Sequence, residues 1–598
     1  EGISAERSTI TVDILATSDV HGWFVPYDFP SNKESSKGGL TLISSLVEDF
    51  RGQGKNVILA DCGDSVQANL CEWLIDEEQH PVMTAFNTMG YDLWTFGNHE
   101  FNFSKAQRDN LVKQFNGAVL CGNVFEKGAE TSELPATAVI ERDGIRIGFI
   151  GMTTPLIQDF EKTSGRLDDY NVRNPLEVLR PAIDELKAQK ADCIVGLIHE
   201  GLYEERGVYG SSIRDIAKEF PEFDVIIGGH THEAVECEYE NGVLLCQPGV
   251  YAQTVSDIEL SFTAADDGAV LTGKTSRIIP CGSENDAELY DALLPYKQRI
   301  SDIMDSEIGE LKGAGLSADS GIKGLSGVYT QASGIMNLFG SAAMYYSGAD
   351  CALFCTDNEY AGFPEGPIKI SDIMNSFTYS AGEVTVYELS GAQLRRILEW
   401  CGDYYNRMED GDLLPSYNPA RRAGKYSTNY LASGISFEVD LTAESGSCVK
   451  NLSLIRKNGS CTPDFAEDGS LQLLPIADSD TVKLATTQYA MEGSWAGEGC
   501  ILAGADIPCV FSSTEEYGES EGTVRSLTIK YIRDVCGGEV DGSQFAYDNW
   551  KLITGVDQNS EEYKTAVRMI NSGTLELHSS EAGDTNIRSV SVNDIIQK

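Results

Sequence analysis

Five short apolar runs in the first half of the chain end in the same way. Thr9 to Thr17 breaks into Ser18-Asp19-Val20-His21-Gly22, and Asn56 to Ala60 breaks into Asp61-Cys62-Gly63-Asp64. Asp92 to Phe96 leads into Gly97-Asn98-His99-Glu100-Phe101-Asn102. Cys193 to Ile198 runs into His199-Glu200-Gly201, and Phe223 to Ile227 runs into Gly228-Gly229-His230-Thr231-His232. Short apolar runs rich in β-branched residues predict buried strands. In open α/β sheets ligands collect beyond the carboxyl ends of the strands, so side chains launched from five such ends can converge. The glycines at these ends let the backbone turn sharply and leave room for an ion.

Further along, the run Gly242 to Phe262 extends the same domain, with Gln247-Pro248-Gly249-Val250-Tyr251 as a loop beyond the strand ends. Leu289, Leu293, Tyr296, Ile300 and Ile303 recur at helical spacing, which predicts a helix from Asp286 to Ile308 with a kink or late start at Pro295. Gly334 toward Ser347 reads as an apolar helix, and Gly348 to Phe354 as a buried strand. No interpretable motif occurs from Cys536 to Lys598.

The polar residues at the strand ends narrow the chemistry. The chain has seven histidines, and five of them (His21, His99, His199, His230 and His232) sit at these ends, whereas His80 and His578 lack that setting and read as ordinary. Asp19, His21, Asp64, Asn98, His199, His230 and His232 offer seven oxygen or nitrogen donors. That number exceeds one tetrahedral ion and suits two divalent ions sharing a bridging carboxylate, with zinc, manganese or iron favoured over thiolate-seeking metals. Two metals roughly 3.5–4 Å apart are an arrangement that serves phosphate ester hydrolysis.

Composition sets the outer bounds. At 598 residues, 41% hydrophobic and 23% charged, the chain is long enough for two or more globular domains. Its net charge of −47 argues against nucleic-acid polymers as partners, while a local metal centre can still attract a small anion. The 15 cysteines form no C-x-x-C pair and read as buried free thiols. Cys62, two residues before Asp64, reads as a small apolar strand-end residue and not as a ligand. There is neither a basic-then-apolar leader nor an apolar run of 18 residues after Glu1; the expectation is a secreted, periplasmic or cell-surface protein whose leader is absent from this chain, a cytoplasmic setting being the alternative. A monomer without a membrane span is expected.

The ordered motifs D-x-H, G-D, G-N-H-E, H and G-H-x-H resemble those of the calcineurin-like metallophosphoesterases. Within that group the chain resembles the bacterial 5'-nucleotidase and 2',3'-cyclic-nucleotide 2'-phosphodiesterase/3'-nucleotidase family, through Gly97-Asn98-His99-Glu100-Phe101. The resemblance extends through Pro367 to Ile373, Val384 to Leu389 and Ser390 to Leu398, and spans most of the chain to about residue 535. It implies an α/β plus α+β architecture: a four-layer α/β/β/α catalytic domain over 1–285, an interdomain helix over 286–308, and a 5'-nucleotidase-type substrate-binding domain over 309–598. In the family such a helix lets the second domain rotate.

Residue by residue, the resemblance implies that Asp19, His21 and His232 hold one metal and Asn98, His199 and His230 the other, with Asp64 bridging. His99 would approach the phosphate and stabilise or protonate the leaving oxygen, after in-line attack by a metal-bound hydroxide. The 5'-nucleotidases usually carry Asp three residues after that histidine. Asn102 stands there, able to orient the imidazole but not to balance its charge. The form G-N-H-E-F-N resembles the cyclic-nucleotide branch, which places 2',3'-cyclic nucleotides and 3'-nucleotides ahead of 5'-nucleotides and UDP-sugars.

For the second domain the resemblance implies a nucleoside gripped between aromatic faces, here Tyr379 and Tyr489 with Trp495 in reserve. Family members often carry an arginine after the strand ending at Phe354. The segment Thr356 to Pro364 has none, so Asn358 is the remaining contact and the pocket must be remodelled. Two other readings stay open: a phosphoesterase for a different small ester, and a binding protein that keeps the fold without turnover. The intact donor set with His99 argues against the second of these.

Overall fold

The computed structural model describes the chain apart from residues 1–8, 162–164, 266–267, 357, 380–381, 423–428, 498, 519–520, 581–583 and 597–598. The chain divides into two compact units, Glu1–Ile303 and Met304–Lys598.

In the first unit two six-stranded sheets lie between helices. One runs, in spatial order, Gly268–Pro280, Thr254–Ala265, Thr9–Thr17, Val57–Asp61, Leu93–Thr95, Ala118–Leu120. The other runs Ala234–Glu240, Val243–Pro248, Val225–Ile227, Cys193–His199, Ile145–Thr153, Thr137–Arg142. In the first sheet the four strands from Thr9–Thr17 to Ala118–Leu120 are mutually parallel, and in the second the four from Val243–Pro248 to Ile145–Thr153 are. Their carboxyl ends therefore share an edge within each sheet.

The two-residue period of the strands explains the layers. Ile147, Phe149, Val195, Leu197, Val225, Ile227 and Leu244 meet Val12, Ile14, Ala16, Ile58, Ala60 and Leu93 in a core between the sheets. Their alternates Ile150, Met152, Ile194, Ile198, Ile226 and Leu245 face outward, onto Leu179, Ile183 and Leu186 of helix Pro175–Ala188 and onto Ile213 and Ile216 of helix Ile213–Glu219. Each such side chain contributes about 1.5–3 kcal/mol when fully buried. A polar residue inside either run would disrupt a layer, so the polar groups collect at the strand ends. Helices Leu40–Gly52 and Pro81–Met89 belong to the side of the first sheet, completing the four-layer α/β/β/α order.

The helix expected to reach Ile308 ends at Met304, and Glu307–Lys312 is a strand. Ile308 and Leu311 are both buried although three residues apart, because a register shift between Glu307 and Gly309 turns both inward. Helical spacing and a bulged strand are indistinguishable there by pattern alone. Pro295 lies inside this continuous helix, Ala287–Met304.

In the second unit helix Gly334–Ser347 is buried on nearly every face, as its apolar composition requires. A five-stranded sheet runs Leu431–Ser433, Cys351–Phe354, Thr481–Thr486, Thr385–Ser390, Cys509–Ser512. Helix Gly391–Gly402 follows its strand directly because Ser390 and Gln393 form a reciprocal cap. The tail that carried no motif is built into this unit: Glu539–Asp541 pairs in parallel with Glu307–Lys312, and Trp550–Ile553 with Ile435–Asp440.

Candidate functional site

The five strand ends meet. Ligand atoms of Asp19, His21 and His232 lie within 4.8 Å of one another, as do those of Asp64, His199 and His230, and those of His21, Asp64 and His99. Between the first trio, His21 Nε2 stands 3.0 Å from His232 Nε2, and Asp19 Oδ1 stands 3.5 Å from the latter. In the second, Asp64 Oδ2 is 3.0 Å from His199 Nε2. Asn98 Oδ1 joins that group, 3.1 Å from His199 Nε2 and 2.8 Å from His230 Nδ1. All seven donors expected from the sequence are thus in one place, with His99 beside them.

The local backbone is bent to achieve this. Asp19, His21, Asp64, His230 and His232 all have positive φ, between 48° and 73°. Non-glycine residues rarely adopt that region, and such strain gathers at functional sites. Gly97 makes the crowding tolerable: a Cβ there would lie 2.3 Å from Asp64 Oδ1 and 2.7 Å from His199 Cε1. At Gly229 a Cβ would stand 2.3 Å from Ser18 Oγ.

Four of the five histidines are also held by their far nitrogen. His21 Nδ1 faces the Gln67 carbonyl at 3.2 Å, and His199 Nδ1 the Cys62 carbonyl at 2.6 Å. His230 Nε2 meets the Glu205 carboxylate at 2.8 Å, and His99 Nδ1 meets Asn102 Oδ1 at 2.6 Å. An outward N–H donated to an acceptor leaves the inward nitrogen with its lone pair, as a metal ligand requires. The hard and borderline O/N donor set fits divalent zinc, manganese or iron. Cys62 is no part of it; its thiol donates to the Ile227 carbonyl inside the core.

The buried charges of the site act strongly on one another. Burial pushes the Asp19 carboxyl up, and pushes the His21 imidazole down to about 3. Burial acts against an ionised Asp64, yet the charges on His199 and His99 hold its carboxyl well below the usual range. Burial likewise opposes a charged His199, but the Asp64 and Asp19 carboxylates lift it to about 10. Neighbouring groups shifted in opposite directions mark functional sites. Asp61, one strand position before the turn, is different: its carboxylate takes the hydroxyls of Thr17 and Ser65 and braces the strand ends.

Several residues here carried no readable role in the sequence. Glu100 is fully buried and accepts the backbone N–H groups of Asp64, Ser65 and Gly97, tying two strand ends together. Glu205 and Gln67 lie on loops whose sequences show no period. Glu161 accepts Asn102 Nδ2 at 2.7 Å. It caps the short helix that follows strand Ile145–Thr153, whose last residue pairs in register with His199, so the segment after a sixth strand also reaches the site.

In the second unit Tyr379 and Tyr489 line one cavity of about 380 Å³ with Phe354, Cys355, Phe377 and Tyr430 among its walls. Thr487 caps the turn that carries Tyr489, and the chain then widens into a π-helical turn, Met491–Ala496. Trp495 does not line the cavity: it is wholly buried, 4.8 Å from the Tyr430 ring, and backs that wall. Asn358 is also outside it, its amide donating to the Asn375 carbonyl. Tyr430 was invisible in the sequence because its nearest aromatic neighbours come from distant segments.

Comparison with known proteins now decides the family. The calcineurin-like phosphoesterase family model matches residues 12–234, and the model of the 5'-nucleotidase C-terminal domain matches residues 308–496. The chain belongs to the calcineurin-like phosphoesterases with a 5'-nucleotidase C-terminal domain. It is 23% identical over 548 residues to the trifunctional nucleotide phosphoesterase protein YfkN of Bacillus subtilis, covering 82% of this chain but only 36% of that protein. It is 23% identical over 622 residues to a 2',3'-cyclic-nucleotide 2'-phosphodiesterase/3'-nucleotidase of Haemophilus influenzae, covering 94% of this chain and 90% of the other. The structure of the NAD nucleotidase of Haemophilus influenzae has the same fold, with a TM-score of 0.54 at 16% identity over 91% of this chain and 99% of that one. This calcineurin-like phosphoesterase therefore belongs among the phosphoric-ester hydrolases, and its donor cluster lies within the residues its family model matches. Among the described residues no helix is long and apolar enough to cross a membrane.

Proposed function

We propose that the chain hydrolyses small nucleotides, with 2',3'-cyclic nucleotides and 3'-nucleotides ahead of 5'-nucleotides. The observation that carries this reading is the convergence of seven O/N donors around His99. We assign Asp19, His21 and His232 to one divalent ion, Asn98, His199 and His230 to the other, and Asp64 to both. When bound, two such ions would neutralise phosphoryl oxygens and activate water for in-line displacement.

The protein's own groups do the rest. Asp64 fixes the spacing of the two halves and accepts the backbone N–H of His99 at 2.7 Å, so the acid and the metal ligands share one rigid frame. His99, steadied by Asn102, meets the leaving oxygen. Tyr379 and Tyr489 hold the base, and residues 309–598 serve as the substrate-binding domain, with the helix near 286–308 as connector. The strongly negative surface disfavours nucleic-acid polymers. A secreted, periplasmic or cell-surface setting, where nucleotides are scavenged, suits this role.

A second reading, a phosphoesterase for another ester, draws on the arginine-free segment Thr356 to Pro364. The test is turnover of 2',3'-cyclic AMP, 3'-AMP, 5'-AMP and p-nitrophenyl phosphate with manganese or zinc, for the wild type and Asp64→Asn. Nucleotide turnover lost in the variant is expected. Aryl phosphate turnover without nucleotide preference favours the second reading, and tight metal binding without any turnover refutes catalysis.

A further inference from the structure

The proposed leaving-group role of His99 raises a question that Asn102 alone does not answer. An amide has a donor end and an acceptor end of nearly the same shape, and the wrong end toward the imidazole would set two donors face to face. His99 Nδ1 lies 2.6 Å from Asn102 Oδ1, while Asn102 Nδ2 donates to Glu161 Oε1 at 2.7 Å. A carboxylate only accepts, so Glu161 permits a single orientation of the amide. Asn102 Oδ1 must then face His99, whose Nδ1 must be the donor, and Nε2 is the nitrogen that would meet the leaving oxygen.

Glu161 is itself firmly placed. It is 3% exposed and caps the short helix Ile157–Phe160, its N–H donating to the Ile157 carbonyl. The Arg166 guanidinium stands 4.0 Å from its second oxygen, so the buried charge has a partner. The preceding residue, Phe160, stacks on the His230 ring at 6.0 Å and 24°. One segment, Phe160-Glu161, thus bears on two histidines of the site.

We propose that Glu161 is a positioning residue for the reaction, fixing the Asn102 amide and through it the ring of His99, so that Glu161, Asn102 and His99 act as one hydrogen-bonded unit. This rests on the assignment of His99 to the leaving oxygen. It goes beyond that assignment by placing the carboxylate of the unit 59 positions along the chain from Asn102.

The test compares two substrates with the metal-loaded full chain. Expulsion of the ribose oxygen of 3'-AMP needs acid assistance, and expulsion of p-nitrophenolate needs little. In Glu161→Gln the side-chain amide can turn its NH2 toward Asn102 and release the constraint. The expected result is a kcat for 3'-AMP lower by about tenfold or more, with p-nitrophenyl phosphate changed by less than about threefold. KM and metal content, the latter read by mass spectrometry, stay as in the wild type. In Asn102→Asp two carboxylates would confront each other at 2.7 Å, and 3'-AMP turnover falls. The swap N102D/E161Q restores an acceptor toward His99 and a donor–acceptor pair behind it, and brings 3'-AMP turnover back to within about threefold of the wild type.

The swap keeps the hydrogen-bond count and tests the idea even should Glu161→Gln fail to fold. Failure of the swap to outperform Asn102→Asp overturns the proposal, and so does an E161Q that affects both substrates equally or neither. His99→Ala separates the two levels. A substrate split in that variant without one in Glu161→Gln sinks the role of Glu161 alone. No split in His99→Ala sinks the leaving-group assignment itself.

Discussion

Tyr489→Ala is the sharpest probe of how the second unit contributes. Tyr489 lines the cavity yet is 59% exposed, so its ring contributes little to the folded core. An exposed substitution of this kind changes stability by no more than about 0.5 kcal/mol. A base stacked on that ring contributes about 1–3 kcal/mol, and its loss corresponds to roughly a 5- to 150-fold rise in KM for a nucleotide. On the proposed assignment the phosphoryl chemistry lies with the donor cluster of the other unit, so kcat for p-nitrophenyl phosphate is expected to be unchanged. Tyr379 offers a contrast. Its ring packs edge-on against Phe377 at 6.0 Å, and its hydroxyl takes the Cys355 thiol, so Tyr379→Ala is expected to cost stability as well as affinity. The assay is steady-state kinetics of both variants on 3'-AMP and p-nitrophenyl phosphate, with urea unfolding midpoints alongside. An equal change of KM for both substrates in Tyr489→Ala, or no change for either, would refute the stacking role.

Three further outcomes are expected. Glu205→Gln weakens the carboxylate behind His230 and should lower affinity for one divalent ion by about 10- to 100-fold, as read by competition with a chelator. Glu100→Gln sets an NH2 against one of three backbone N–H donors, and should destabilise the fold by about 1.5–3 kcal/mol, measured by denaturant unfolding. His80 concerns pH: burial lowers its imidazole to about 3, so the folded state keeps it neutral while the unfolded chain takes up a proton below about 6.5. Its contribution to stability is full above that pH and is lost as the pH falls toward 3, at up to about 1.4 kcal/mol per pH unit. His80→Asn keeps the side-chain acceptor that caps helix Pro81–Met89 and should flatten the acid limb of the stability curve; an unchanged limb would contradict the burial argument.

The donor set was legible before any coordinates because it is local. A buried parallel strand must be apolar along its length, so its polar residues fall at its end, and Asp19, Asp64, Asn98, His199 and His230 announce themselves by that position. The aromatic pair Tyr379 and Tyr489 could be named by likeness alone, since a tyrosine in a pocket and one in a core look alike in sequence.

What the amino-acid order determined by itself was the buried strands of the first half and the kind of atoms at their ends, because the alternation of apolar and polar positions acts over a few residues. Tertiary structure decided the rest: which nitrogen of each histidine turns inward, that Glu161, Glu205 and Gln67 stand behind them, that Ile308 belongs to a strand, and that the last sixty or so residues complete the sheets of the second unit. Those choices depend on groups far apart in the chain meeting in low dielectric, where an unmatched donor is costly and only the folded arrangement supplies the match.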